Sequence, residues 1–479
     1  MNLYLLSPEI SVFGLAIAVI LLDLLPVRKG WLAAASVLGL GVPLGFAIAL
    51  WGDWDNTFAG MLVVDQFSLF FKFLFLGVAA LVILASADYV SKFPRFQGEY
   101  YALILFAAGG MMLLASTREL ISIYIALELT AVSLAALACF LKDVRSTEAA
   151  LKYIILSAIS SAVLLYGMAL VFGLSGSTRL EDIAAAVTAG RAWDSPPLLL
   201  GIVLLVAGFG FKIASVPFQM WVPDVYEGAP TPIAAYLSVA SKAAGFAIVL
   251  RVFFSAFGQP ETLSLDWGDL FAVLAAITMT LGNVMALPQT NIKRLMGYSS
   301  IAHAGYIMVG LASVTLISRD LGQSGVLFYL SAYTFTNLAA FIAIIAISNR
   351  VGSDLIADYA GMVRRAPVLA LALAFAFISL IGIPPTAGFM AKIYIFNAGI
   401  QNDLTWLVIV GVINSVISAY YYLRVIRIMF LAKPVSEEKV PSSPALRLSL
   451  TLTTVGVLVV GLVPYPLLRA AEIAVRAFS

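Results

Sequence analysis

Lysines 212, 242 and 392 stand in the middle of membrane-length apolar stretches, GFGFKIASVPFQMW, YLSVASKAAGF and LIGIPPTAGFMAKIYIF. A charge at the centre of a bilayer helix costs about 2.5–3.5 kcal/mol on insertion scales. Glu128, in ISIYIALELTAVSLAALACF, and the only histidine, His303, in SSIAHAGYIMVG, have similar settings. Amine, carboxylate and imidazole share one chemistry, the uptake and release of a proton. Together they read as a route for charge across a membrane. Each residue also has a plainer reading. Glu128 could be hydrogen-bonded across a helix interface, His303 could be a satisfied core residue, and Lys212 could snorkel to the headgroups. Against snorkelling, Lys212 has a long apolar run before it and nine more residues to Trp221.

Burial favours a neutral amine and a nearby carboxylate favours the ammonium, so a lysine held between the two cycles its proton when its partner moves. Glu128 reads as the partner of a buried lysine, each holding the other's charge. Glu148 and Lys152 sit at i and i+4 in STEAALKYIIL, the spacing of a helical ion pair. They are open to two readings, an interfacial pair or a proton entry. His303 suits a relay near neutral pH. Lys72 could snorkel outward or pair with a neighbouring helix, Arg251 stands close to the outer end of the eighth helix, and Arg424 and Arg427 flank the inner end of the thirteenth; none is read as part of the route.

These groups need elements to hold them. The chain has 479 residues, 62% of them hydrophobic and only 11% charged, so lipid must cover most of its surface. A spanning helix takes about 20 apolar residues. Fourteen candidates follow, near 8–25, 31–50, 62–85, 99–116, 119–141, 147–174, 196–221, 230–257, 267–288, 296–317, 325–348, 366–398, 405–431 and 447–464. The fold class is therefore an all-α polytopic membrane protein, read as a single transmembrane domain over 1–479. The N-terminus has no basic region before its first apolar run, so that segment reads as a retained helix. Loops after odd-numbered helices hold thirteen lysines and arginines, among them Arg28, Lys29, Arg364 and Arg365, against six elsewhere, among them Arg191 and Arg319. That bias places the odd loops in the cytoplasm and both termini outside. The DWDN run at 53–56, with Glu261 and Asp266, suits the outer face.

The seventh and twelfth helices look broken. Pro217 leaves the Ile213 carbonyl without its helical donor, and Pro384 with Pro385 releases those of Leu380 and Ile381. Unwound backbone at membrane depth needs protein or a wet cavity around it. Interrupted helices in matching places suggest inverted repeats. No residue-level identity between the halves supports that here.

One cysteine, Cys139, and one histidine exclude a thiolate cluster or a multi-histidine metal site. No nucleotide-binding glycine motif is present. The chain is expected to carry no cofactor. Its net charge of +2 with scattered basic residues argues against nucleic acid.

The runs STEAALKYIILSAISSAVLLYGMALVFG, FKIASVPFQMWVPDVYEGAPTPIAAYLSVASKAAGF, NIKRLMGYSSIAHAGYIMVGL and GIPPTAGFMAKIYIFNAG point further. With them, over essentially its whole length, the chain resembles the antiporter-like subunits of proton-pumping NADH–quinone oxidoreductase, respiratory complex I. The resemblance implies two inverted five-helix repeats, helices 4–8 (99–257) and 9–13 (267–431), flanked by helices 1–3 (1–98) and helix 14 (447–464). It implies a coupling pair matching Glu128 and Lys212, a central relay matching Lys242, and an exit group matching Lys392. It also implies membrane and peripheral partner subunits carrying flavin, iron–sulfur clusters and quinone, in a bacterial inner membrane. The alternative is a subunit of an Mrp-type sodium/proton antiporter or a related membrane-bound hydrogenase. A scaffold without transport fits poorly with three buried lysines beside two helix breaks.

Overall fold

The computed structural model describes residues 2–25, 30–93, 95–189, 195–258, 261–314, 319–434 and 436–478. Arg28, Lys29, Arg191 and the C-terminal Ser479 lie outside these residues, as do the side chains of Glu261, Asp266 and Arg319.

Helices occupy all fourteen expected positions. Twelve are long and apolar enough to cross a membrane: Leu3–Asp23, Gly30–Ala49, Gln66–Ser86, Gln97–Ser116, Leu120–Ala138, Val144–Ser175, Pro196–Ile213, Thr231–Ala256, Trp267–Ala286, Asp320–Val351, Thr405–Leu431 and Pro444–Leu462. They are the first to ninth, eleventh, thirteenth and fourteenth. The tenth, Ile292–Ala312, is more polar. The twelfth is split into Pro367–Ile381 and Ala387–Gln401. A two-stranded hairpin, Asp55–Thr57 with Leu62–Val64, connects the second and third helices. An amphipathic helix, Tyr465–Val475, follows the last span and packs on the third and eleventh helices.

The eighth and eleventh helices are enclosed by protein along nearly their whole described length, while the second and sixth show most of theirs to the outside. Lipid-facing helices need no polar stripe, so Ile125, Ile155 and Val416 lie exposed without penalty. Without a hydrophobic force between helices in lipid, close packing does the work. A Cβ on Gly282 would lie 2.5 Å from the Ala302 nitrogen, and one on Gly305 would lie 2.5 Å from the Met279 nitrogen. The ninth and tenth helices thus touch backbone to backbone, which fixes the tenth in the interior.

Both breaks end their helices the same way. Ile213 is followed by Ala214 at φ 61°, and the Ser215 amide donates to the Gly210 carbonyl at 2.9 Å. Ile381 is followed by Gly382 at φ 92°, and the Ile383 amide donates to the Ile378 carbonyl at 3.2 Å. This is the Schellman terminus, which satisfies carbonyls a helix end would leave orphaned. After each break the chain resumes as helix, at Trp221 and at Ala387.

Candidate functional site

Lys212 lies in the last turn before the first break and is buried. Its Nζ has no hydrogen-bond partner among the described residues and sits 5.8 Å from the centre of the Tyr153 ring. Gly245 of the eighth helix packs directly on its backbone, 3.2 Å from its carbonyl carbon to a Cβ built there. The expected tight pair with Glu128 is not formed. Glu128 is half-buried, and its carboxylate accepts a hydrogen bond from Ser161 on the sixth helix. No ion pair joins it to Lys212 among the described residues. The reason is lateral. Glu128 faces the sixth helix, whose small Ser161 lets its carboxylate find a neutral donor there.

Lys242 opens an α-helical stretch directly after a π-helical turn, Leu237–Ser241. Such turns interrupt the regular ladder and often mark functional positions. The amine donates to the carbonyl and to the hydroxyl of Ser300 on the tenth helix. Tyr226 shares the same hydroxyl at 3.3 Å.

His303 follows Ser300 by one turn and is buried. Its Nδ1 is 2.8 Å from the Tyr329 hydroxyl. Its ring packs against Tyr306, Tyr329 and Tyr333, with centroids 5.6, 6.0 and 5.0 Å away.

Lys392 lies in the second half of the twelfth helix and reaches back across the break. It donates to the Leu380 carbonyl at 3.2 Å and the Ile381 carbonyl at 2.8 Å, the two that the prolines release. It also donates to Ser415 at 3.1 Å and lies 4.7 Å over the Tyr306 ring. A cation at a helix C-terminus is favoured by the axial dipole as well as by the free carbonyls.

Ser300, His303 and Tyr306 recur at intervals of three on the tenth helix, so they share one face. That face has Lys242 at one end and Lys392 at the other. Tyr226, Ser300, Tyr306, Tyr329, Tyr333 and Ser415 were not singled out from the sequence. The spacing of Ser300, His303 and Tyr306 was visible there, but hydroxyls are common in cores and carry no signal alone.

Glu148 and Lys152 form their ion pair at 2.8 Å, and the structure adds to it. Lys152 also binds Asp224 at 2.7 Å. Arg294 binds Asp224 at 2.7 Å and Glu227 at 2.8 Å. The group lines a cavity of about 220 Å³ with Arg145. Asp224 lies beyond the predicted 196–221 span, in the short helix Trp221–Gly228. Its burial raises its pKa, but hydrogen bonds from Lys152 and Arg294 outweigh that and hold the carboxyl below its ordinary range.

Two residues set aside in the sequence are deeply buried. Lys72 pairs with Glu9 at 2.8 Å, one of the two readings it allowed. Arg251 is not a free helix-end charge. It grips Asp65 at 2.6 and 3.0 Å and the Ala115 carbonyl at 2.8 Å, all out of solvent. Arg424 caps the carbonyls of Leu287 and Gln289 at 2.8 and 2.6 Å.

Comparison with known proteins gives a consistent set. The family model described as "NADH:quinone oxidoreductase/Mrp antiporter, TM" matches residues 117–418. The chain is 49% identical to the NADH-quinone oxidoreductase subunit N of Dehalococcoides mccartyi, over 98% of each. A chain of respiratory complex I from Thermus thermophilus with bound aureothin matches at TM-score 0.81 and 33% identity, covering 96% of this chain and 98% of that one. A chain of the Mrp complex from Dietzia sp. shares the fold at TM-score 0.85 and 20% identity, covering 100% and 98%.

Proposed function

Because the chain belongs to the NADH:quinone oxidoreductase/Mrp antiporter membrane family, we propose that protons cross it along a row from Lys212 past Lys242, Ser300, His303 and Tyr306 to Lys392. The chain is a multi-pass, proton-translocating membrane subunit of an NADH:quinone oxidoreductase and works beside other subunits of that complex. The observation that carries the route is the single face of the tenth helix joining the two lysines.

In this reading each group moves a proton and none moves an electron. Flavin, iron–sulfur clusters and quinone belong to partner subunits, and nucleic acid has no place. Glu128 biases Lys212 from a distance, so a small shift of the fifth or sixth helix changes how strongly Lys212 holds its proton. Among the described residues Lys212 has no hydrogen bond to break before it moves. Lys242 hands its proton to the Ser300 hydroxyl, His303 relays it, and Lys392 takes it beside Tyr306. Glu148 and Lys152, with Asp224, form the entry on the cytoplasmic side. The matching Schellman termini support inverted repeats over 99–257 and 267–431. Lipid of a bacterial inner membrane surrounds the chain, and both termini face the periplasm.

The test is Lys242→Ala in the whole complex reconstituted into liposomes. NADH-driven proton uptake per quinone reduced should fall at least about tenfold, with the complex still assembled. Removing a buried charge lowers the insertion cost, so assembly has no reason to fail. Wild-type uptake at wild-type quinone reduction would take Lys242 off the route.

A further inference from the structure

The geometry points to a binding site for an anionic phospholipid in the trench between the twelfth and fourteenth helices. A cavity of about 950 Å³ runs there, and its mouth carries Arg365, Lys439 and Arg447 with no aspartate or glutamate among the described lining residues. Arg365 is the built part of that mouth. It is buried, and its Nε is fixed on the Glu438 carbonyl at 2.9 Å. Its two terminal nitrogens have no hydrogen-bond partner among the described residues. The Glu438 carboxylate is turned away toward Arg350 at 3.5 Å, so it does not neutralise the mouth.

Two helices also begin here, Pro367–Ile381 and Pro444–Leu462. Both dipoles favour negative charge; the first turn of Pro367–Ile381 has no side-chain cap, whereas at Pro444–Leu462 the Leu446 amide donates to Ser443 and the Ser443 amide to Asp88. One uncapped helix N-terminus and three cations thus meet at the mouth, and the nearest carboxylate at the helix starts, Asp88, is engaged by the Ser443 amide at 3.3 Å.

Below the mouth the lining changes character. Leu371, Phe375, Leu450 and Val455 make it apolar, and Leu371 and Val455 are open to the outside. The buried hydroxyl of Thr454 lies in the same wall without a partner. From Ala366 to Phe375 the helix descends about 14 Å. One leaflet of a hydrocarbon core is about half of ~30 Å deep. The trench is therefore one leaflet long, with cations where the headgroups lie. A phosphodiester meets the cations and an acyl chain follows the apolar wall. Basic pockets between helices on the cytoplasmic side recognise anionic headgroups by the same chemistry. A free phosphate would leave the trench unused, and a neighbouring apolar helix would leave the cations unanswered.

The test uses the whole complex in detergent, stripped of lipid. It is mixed with phosphatidylglycerol or phosphatidylcholine bearing the same diazirine-labelled tails, then irradiated. Phosphatidylglycerol should label peptides covering 367–375 and 447–455 at least about fivefold more than phosphatidylcholine. Arg365→Gln with Arg447→Gln should bring phosphatidylglycerol labelling down to the phosphatidylcholine level. Val455→Trp should lower labelling by both lipids. Equal labelling of the wild-type complex by the two lipids would overturn the proposal, and that result depends on no variant folding. Trench peptides labelled only in the separated chain would mean that a neighbouring subunit fills the trench, which also overturns it. Complete displacement of the lipid by inorganic phosphate at equal concentration would reduce the site to a phosphate site and overturn it too.

Discussion

Lys212 and Lys392 occupy mirrored places beside the two breaks, yet they are held in opposite ways. Lys392 donates to two freed carbonyls and a serine, whereas Lys212 donates to nothing among the described residues. Hydrogen bonds to a charged donor each contribute about 1.5–3 kcal/mol. Lys392→Met should therefore lower the thermal midpoint of the complex as well as stop pumping. Lys212→Met should stop pumping and leave the midpoint unchanged or higher. Scanning calorimetry beside proton uptake separates the two, and equal destabilisation would sink the distinction. Arg251 shows the opposite kind of charge. Its bidentate grip on Asp65 fastens the end of the eighth helix to the start of the third, and truncating such a buried pair costs about 3–5 kcal/mol. Burial alone does not mark a transport group. What matters is whether the charge can change partners.

At the scale of elements, the broken twelfth helix depends on one glycine. A Cβ on Gly388 would lie 1.8 Å from the Ser379 carbonyl oxygen, which belongs to the other half of the same helix. Gly388→Ala must push the two halves apart, at a cost of about 1–3 kcal/mol. It should also loosen Lys392 from Leu380 and Ile381, so pumping should fall with stability. A variant with a wild-type midpoint would mean that the halves can separate freely. The second element-scale device is the clamp at Asp224, which joins the sixth helix, through Lys152, to the start of the tenth, through Arg294. Its carboxyl titrates below its ordinary value of 3.8. A group held low stabilises the fold above its unfolded value and loses that contribution as pH falls through its folded value. The clamp's contribution should be complete above pH 3.8, shrink as the pH falls below it, and vanish once the pH has passed the lower folded value. The thermal midpoint of the complex should fall more steeply there in the wild type than in Asp224→Asn. Identical pH profiles would show that Asp224 bears no part of the linkage.

At the scale of the whole molecule, two halves with matching breaks enclose one polar seam. In the proposed repeat division the tenth helix belongs to the second half but receives Lys242 from the first, and Asn337 of the eleventh helix donates to Ser238 of the eighth at 2.6 Å. In the proposed route the proton crosses between halves at Lys242, whose hydrogen bonds among the described residues go to Ser300 of the tenth helix. An even number of spans returns both ends to one side. With thirteen basic residues in the odd loops against six elsewhere, that side should be the periplasm. A C-terminal alkaline phosphatase fusion should be active, and a C-terminal fluorescent fusion dark. The reverse would mean that one span does not cross.

The sequence alone determined the membrane class, the fourteen helix positions, twelve of them long and apolar enough to span among the described residues, the two breaks and the five central titratable groups. Each rests on a local physical demand. Apolar length fixes a span, proline removes an amide, and a lone charge in an apolar run is costly enough to stand out. Tertiary structure decided the partners. Glu128 turned to Ser161 rather than Lys212, Lys392 capped the carbonyls freed eleven and twelve residues before it in the break, and Arg251 became a buried anchor. Asp224 and Arg294 joined Lys152 from distant segments. Partners are set by which helix faces meet, and that depends on backbone approaches such as Gly282 on Ala302. Hydrophobic periodicity says nothing about those in a chain whose helices are apolar on every side.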